Sequence, residues 1–262
     1  MRSVAPWTRI GLLAGASLAA ASPCAAESAL PADPLASPMW AYRAGEILDG
    51  KPVVFDGKVQ LSIPMLAENQ RQFPVMADAR ALQGVVRLLI WADLNPIPLA
   101  VDYRPVQALP VIATRIKLDQ RTPVRAAAQT ADGVWHMAGA WVDAAGGGCS
   151  APPLSRARGD WADHLGELRG RLWFSPQALR LRFSLRHPMD TGLVANIPAF
   201  HIDQVAVKDA DGNVLGELRL QASVAEDPAF TLEFAPALRG VVIEARDTSG
   251  HDSRGQLMVE KP

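Results

Sequence analysis

Hydrophobic positions along the chain fall mostly in short runs of period two or in short continuous blocks. Val85 to Ala92 (Val-Val-Arg-Leu-Leu-Ile-Trp-Ala) is nearly continuous and predicts a strand buried on both sides. Asp93-Leu94-Asn95-Pro96 then breaks it with turn residues. From Ile112 to Leu118, Ile112, Thr114, Ile116 and Leu118 share one predicted face, and Arg115 and Lys117 the other. Val124–Ala128 and Val134–Val142 are further strand candidates, with the hairpin signal Asp132-Gly133 between them. The clearest alternation lies further on. Leu179, Leu181, Phe183 and Leu185 point one way, and Arg180, Arg182, Ser184 and Arg186 the other. Phe200–Val207, Leu215–Leu220, Thr231–Phe234 and Val241–Ala245 complete the set, with a turn at Asp211-Gly212-Asn213. Asp160–Leu168 is the one short helix expected, with Trp161, Leu165 and Leu168 on one face. Short strands separated by turn signals predict an all-β protein made of two sandwiches.

The stretch between the halves has another character. Asp143-Ala144-Ala145-Gly146-Gly147-Gly148-Cys149-Ser150-Ala151-Pro152-Pro153 holds glycines, then prolines, and no bulky apolar side chain. It reads as a domain boundary. The expected organisation is a signal peptide over 1–26, a first sandwich over 27–145, a linker with a short helix over 146–169, and a second sandwich over 170–262. At the N-terminus, Arg2 and Arg9 precede an apolar stretch from Ile10 to Ala21, and small residues run to Ala26. That order predicts a cleaved signal peptide and export, on a segment too short to span a bilayer. Lipidation at Cys24 is the other reading, and Pro23 fits it poorly.

Composition narrows the chemistry. The chain has 262 residues, 49% hydrophobic and 20% charged, with a formal net charge of −1. Losing Arg2 and Arg9 on cleavage takes that to −3. No basic, aromatic-interleaved patch suggests nucleic acid. Cleavage also removes Cys24, one of only two cysteines, and leaves Cys149 alone. A single thiol in an exported chain forms no internal disulfide. The alternatives are a reactive thiol and a buried, inert one. The surrounding glycines favour exposure: Gly146, Gly147 and Gly148 make a slim, flexible arm that suits a carried cysteine. A catalytic cysteine needs a base fixed within hydrogen-bond reach. His136 and His164 flank Cys149 in sequence, but a glycine loop does not fix a nucleophile against either. Arg156 and Arg158 lie just downstream and favour the thiolate if the arm folds back. His187, Met189, His201 and Met258 are ligand types that suit Cu(I), although no pair has a zinc or copper motif spacing.

Several pieces in order resemble a known pair of proteins. Ala67-Glu68-Asn69, Phe73-Pro74-Val75, Asp93 with Asn95-Pro96, Thr114-Arg115-Ile116 and the closing Gly-Gly-Gly-Cys149 resemble SoxY. His187-Pro188-Met189-Asp190-Thr191-Gly192, Pro198-Ala199-Phe200-His201-Ile202, Asp227-Pro228 with Phe230, and Asp247 with Gly250 resemble SoxZ. The arrangement is similar to the fused SoxYZ-like proteins associated with quinoprotein dehydrogenases. The resemblance implies two immunoglobulin-like sandwiches packed together and a periplasmic, non-enzymatic carrier without cofactor or metal. It implies that Cys149 bears sulfur as a thiosulfonate or persulfide and passes it to separate enzymes. One departure matters: in SoxY the cysteine sits on a free C-terminal arm ending Gly-Gly-Cys-Gly-Gly, whereas here Ser150-Ala151-Pro152-Pro153 leads into the second half. A non-catalytic adaptor for a periplasmic dehydrogenase or cytochrome is the rival reading.

Overall fold

The computed structural model describes residues 30–260, so the predicted signal peptide and Cys24 lie outside the described residues. The first half contributes α1 (Trp40–Ile47), β1 (Val53–Val54), β2 (Gln60–Ser62), β3 (Phe73–Asp78), β4 (Val85–Ala92), β5 (Leu99–Arg104), β6 (Ala108–Ile116), β7 (Thr122–Thr130) and β8 (Trp135–Val142). After α2 (Leu154–Arg158), the second half contributes β9 (Leu168–Phe174), β10 (Leu179–Leu185), β11 (Ile202–Lys208), β12 (Val214–Leu220), β13 (Ala229–Phe234), β14 (Gly240–Asp247) and β15 (Asp252–Met258).

Two immunoglobulin-like sandwiches are present, and they are joined edge to edge in both layers. One sheet has nine strands in the order β1-β8-β7-β4-β5-β12-β11-β14-β15, and the other six in the order β2-β3-β6-β13-β10-β9. The halves meet where β5 pairs antiparallel with β12, placing Tyr103 opposite Leu218. They meet again where β6 pairs with β13, placing Ile112 opposite Leu232. A sheet edge is a row of unpaired backbone groups, and each junction satisfies two such edges at once. One apolar core runs between the layers through both halves. Leu88, Ile90, Phe73 and Ile112 join Leu181, Phe230, Leu232 and Ile243.

The predicted double burial of β4 is borne out. Leu88 and Ile90 face that core, while Leu89 and Trp91 face α1 on the outside of the nine-stranded sheet, packed with Trp40, Ala44 and Ile47. Beneath this helix, Arg125 is fully buried and bonded to Asp33 and Asp93 at 2.6–3.1 Å.

Two local expectations are corrected. The short helix is at Leu154–Arg158, not Asp160–Leu168. Gly159, left-handed at φ 80°, ends it, and Gly166 at φ 75° turns the chain into β9. Lys117 does not share an outward face with Arg115. Strand β6 ends at Ile116, the period-two rule stops there, and Lys117 turns inward to only 5% exposure.

Candidate functional site

The site forms where the chain leaving β6 meets the chain leaving β8. Lys117, Leu118 and Asp119 follow β6, and the glycine arm follows β8. The arm lies against that first segment as a docked loop. Gly148 N–H donates to Leu118 O at 3.1 Å and Gly147 N–H to Asp119 O at 3.2 Å. Gln70 Nε2 donates to Gly146 O at 2.9 Å. The glycines therefore do different work from the expected flexible arm. A Cβ on Gly148 would sit 2.4 Å from both Gln70 O and Leu118 O, and one on Gly146 would sit 2.8 Å from Asp119 O. Close backbone approach demands glycine at both positions. Gly147, at φ 80°, has open space around its missing side chain and supplies only the turn.

Cys149 is fully buried, which corrects the expectation of an exposed thiol. The Asp119 carboxylate is the main clasp. Its Oδ1 accepts Cys149 N–H at 3.0 Å, Ser150 N–H at 3.2 Å and Ser150 Oγ–H at 3.0 Å. From the second half, Thr191 Oγ donates to Cys149 O at 2.7 Å. Downstream, Arg71 reaches Pro152 O at 3.1 Å, and Glu226 accepts the N–H groups of Leu154 and Ser155 at 2.7 and 2.5 Å.

Arg156 and Arg158 do not serve the thiol as expected. Arg156 is bonded to Asp190 at 3.0 Å and lies over the Trp161 ring. Arg158 is 3.5 Å from Glu226 and 3.6 Å from Asp227. The cation whose field does act on Cys149 is Lys117, whose ammonium donates to Met189 O and, at 2.8 Å, to Ala222 O. Burial pushes the Cys149 thiol up to about 12; Asp119 adds to the rise and Lys117 opposes it. Burial lowers Lys117 to about 8, against the opposing pull of Cys149, Asp190 and Glu226. At neutral pH the docked pair is thus thiol and ammonium, and the thiol is not nucleophilic in place. Lys117 was missed because the alternation through Arg115 was carried one residue too far.

The histidines are engaged elsewhere. His136 bonds Asp56 at 2.8 Å from the start of β8, the end opposite the arm, about 20 Å along the strand. His164 bonds Glu167 at 2.5 Å. His187 accepts Met189 N–H at 3.0 Å, and burial lowers its pKa with Asp247 opposing. Met189 Sδ accepts Ile202 N–H at 3.4 Å. His201 stands beside Thr248 at one end of the β14–β15 hairpin, and Met258 faces Gly240 at the other. Of the four residues considered for Cu(I), His187, Met189 and His201 lie near one another across the Asp190–Phe200 bridge, while Met258 stands apart at the far end of the hairpin. Among the described residues no three His, Cys, Asp or Glu side chains group as a metal set.

Fold and arm together define an immunoglobulin-like β-protein with one cysteine on a glycine arm between two sheet-sharing domains. Its families follow from comparison. The family model for the sulfur oxidation protein SoxY matches residues 45–149, and that for the sulphur oxidation protein SoxZ matches residues 175–257. The chain is a SoxY–SoxZ fusion, and it belongs to the sulfur-oxidation carrier proteins. No curated protein matches it. Among solved structures, the sulfur carrier protein SoxY from Chlorobium limicola f thiosulfatophilum aligns over 40% of this chain and 96% of its own, at 17% identity and TM-score 0.37. The Bacteroides ovatus mixed-linkage glucan utilization locus protein SGBP-B aligns over 74% of this chain and 44% of its own, at 13% identity and TM-score 0.20. No helix among the described residues is long and apolar enough to cross a membrane.

Proposed function

We propose that this chain is a periplasmic covalent carrier that holds sulfur intermediates on Cys149 while separate enzymes oxidise and release them. The observation that carries the reading is positional: the SoxY match ends at Cys149, the last residue of the glycine arm. Taking over a sulfane sulfur from a persulfide donor forms the Cys149 persulfide without net oxidation. Attaching thiosulfate through its outer sulfur forms an S–S bond and releases two electrons, which the loading enzyme accepts. Both reactions require the thiolate, so the arm undocks before either one. A link to a quinoprotein dehydrogenase rests on family resemblance, and the periplasmic address on that resemblance together with the signal peptide expected over 1–26. The burial of Cys149 favours a second reading, in which the chain is an adaptor without thiol chemistry. Intact mass spectrometry of protein isolated from its native host without reductant separates the two. Added sulfur or thiosulfonate that is lost on reduction and absent from Cys149→Ser is the carrier's signature. A bare thiol that remains bare after exposure to thiosulfate and host extract selects the adaptor.

A further inference from the structure

The two layers differ in how their outer faces are covered. α1 lies on the outside of β4, β7 and β8, whereas no helix among the described residues covers the outer face of the six-stranded sheet. That face is basic. Register places Arg182 of β10 between Arg171 of β9 and Thr231 of β13, and Arg180 beside Trp173. Arg115 of β6 shares this face, and small residues, Ala113, Ala229 and Thr231, floor the space between Arg115 and Arg182. The groove they line holds about 300 Å³. A second groove of about 580 Å³ continues past Arg182 to Arg171, Arg169 and Trp173. Arg180 and Arg171 are paired, with Glu233 at 2.6 Å and Glu260 at 2.7 Å. Arg115 and Arg182 are exposed and have no carboxylate partner among the described residues.

The first groove adjoins the arm at both of its roots. Arg115 O accepts Ala225 N–H at 3.0 Å, and the next residue, Glu226, anchors Leu154 and Ser155. Pro64 lines the groove, and the following Met65 and Leu66 are 68% and 60% exposed. Met65 O accepts Asp143 N–H at 2.9 Å, where the arm departs. Leu154, where the arm lands, is 57% exposed. Unpaired arginines beside exposed Met and Leu have the composition of a protein interface rather than of a solvated strand face.

We propose that the outer face of the six-stranded sheet, from Arg115 across Arg182 to Arg169, docks a partner protein through an acidic patch and so brings that partner to the arm. That the partner is a loading or unloading enzyme rests on the carrier reading; the acidic complementarity does not. Positive potential on a chain of net charge −1 steers an acidic surface toward this one side.

The test titrates the full chain with an oligo-glutamate peptide by calorimetry at low and high salt. The expected result is salt-sensitive binding, weakened about tenfold or more in Arg115→Glu/Arg182→Glu. Arg219→Glu/Arg254→Glu, on the nine-stranded sheet, leaves it unchanged, and urea midpoints show that both variants fold. Equal loss in both double variants, or no binding to the wild type, overturns the proposal. Binding to phosphatidylglycerol vesicles but not to the peptide overturns it in favour of a membrane. A second measurement follows Cys149 loading by host extract and thiosulfate, which the first double variant slows. If wild type never loads, the carrier reading fails, while the peptide titration still decides the docking surface.

Discussion

If the arm is clasped by Asp119, removing that carboxylate should release the thiol. In Asp119→Ala the N–H groups of Cys149 and Ser150 and the Ser150 hydroxyl lose their shared acceptor. Three hydrogen bonds at about 1 kcal/mol each amount to about 3 kcal/mol of docking free energy. At about 1.4 kcal/mol per factor of ten, the open fraction rises by about two orders of magnitude. A disulfide reagent such as Ellman's reagent reacts only with the open thiol, so its rate tracks that fraction. Wild type should label far more slowly than the unfolded chain in guanidinium, and Asp119→Ala about 100-fold faster than wild type. Asp119→Asn keeps an acceptor oxygen and should fall between them. Circular dichroism checks that the sheets persist. Wild type labelling as fast as the unfolded chain would refute the docked arm. Slow labelling in both wild type and Asp119→Ala would refute Asp119 as its clasp.

Gly148→Ala should also accelerate labelling, because its Cβ would lie 2.4 Å from two backbone oxygens; Gly147→Ala, strained only in φ, should do so much less. Linkage gives Lys117 and Cys149 opposite signs in the pH dependence of stability. Lys117 is lowered from 10.5 to about 8, so between those values the unfolded chain holds a proton the native chain has lost, and stability rises with pH. Cys149 is raised from 9.0 to about 12, so across that window the native chain holds the extra proton, and stability falls. Urea midpoints relative to wild type should therefore show Lys117→Met losing a gain above pH 8 and Cys149→Ser escaping a loss above pH 9. Arg125→Ala should destabilise by about 3–5 kcal/mol, because it strands the buried carboxylates of Asp33 and Asp93; thermal melting measures this.

Strands whose two faces follow one simple rule were legible in the sequence. β10 alternates cleanly, and β4 is apolar on both faces, so both were located from pattern alone. β5 was missed because Asp102 interrupts its apolar run; the structure buries that carboxylate against Arg87 at 2.8–3.0 Å. α1 was missed because eight residues with Ala44 as a core contact make too short a repeat. The edge-to-edge joining was also hidden, since β5–β12 and β6–β13 pair across more than a hundred residues and no local pattern encodes partner choice. At the site, composition located Cys149 and the three glycines but not the burial of the thiol or the docking of the arm. Gly146 and Gly148 look like flexibility in a sequence, and the structure uses them for backbone contact.

Anchorage at both ends limits what an undocked arm can do. Glu226 holds the Leu154 and Ser155 amides, and Met65 and Ala67 hold Asp143, so the moving segment lies between. Cys149 is five residues from Leu154, and a fully extended chain spans at most about 3.4 Å per residue, so the thiol rises about 17 Å from that root at most. A terminal arm is limited only by its length from one root and has no second tether to hold it back. A partner acting on Cys149 must therefore place its reacting centre near the surface that docks against the chain, or α2 must unwind to lengthen the tether. The basic face and the exposed Met65, Leu66 and Leu154 flank the two roots, where such a short reach would be used. Docking and delivery are then parts of one geometric requirement: a tethered cysteine serves only a partner already seated beside it.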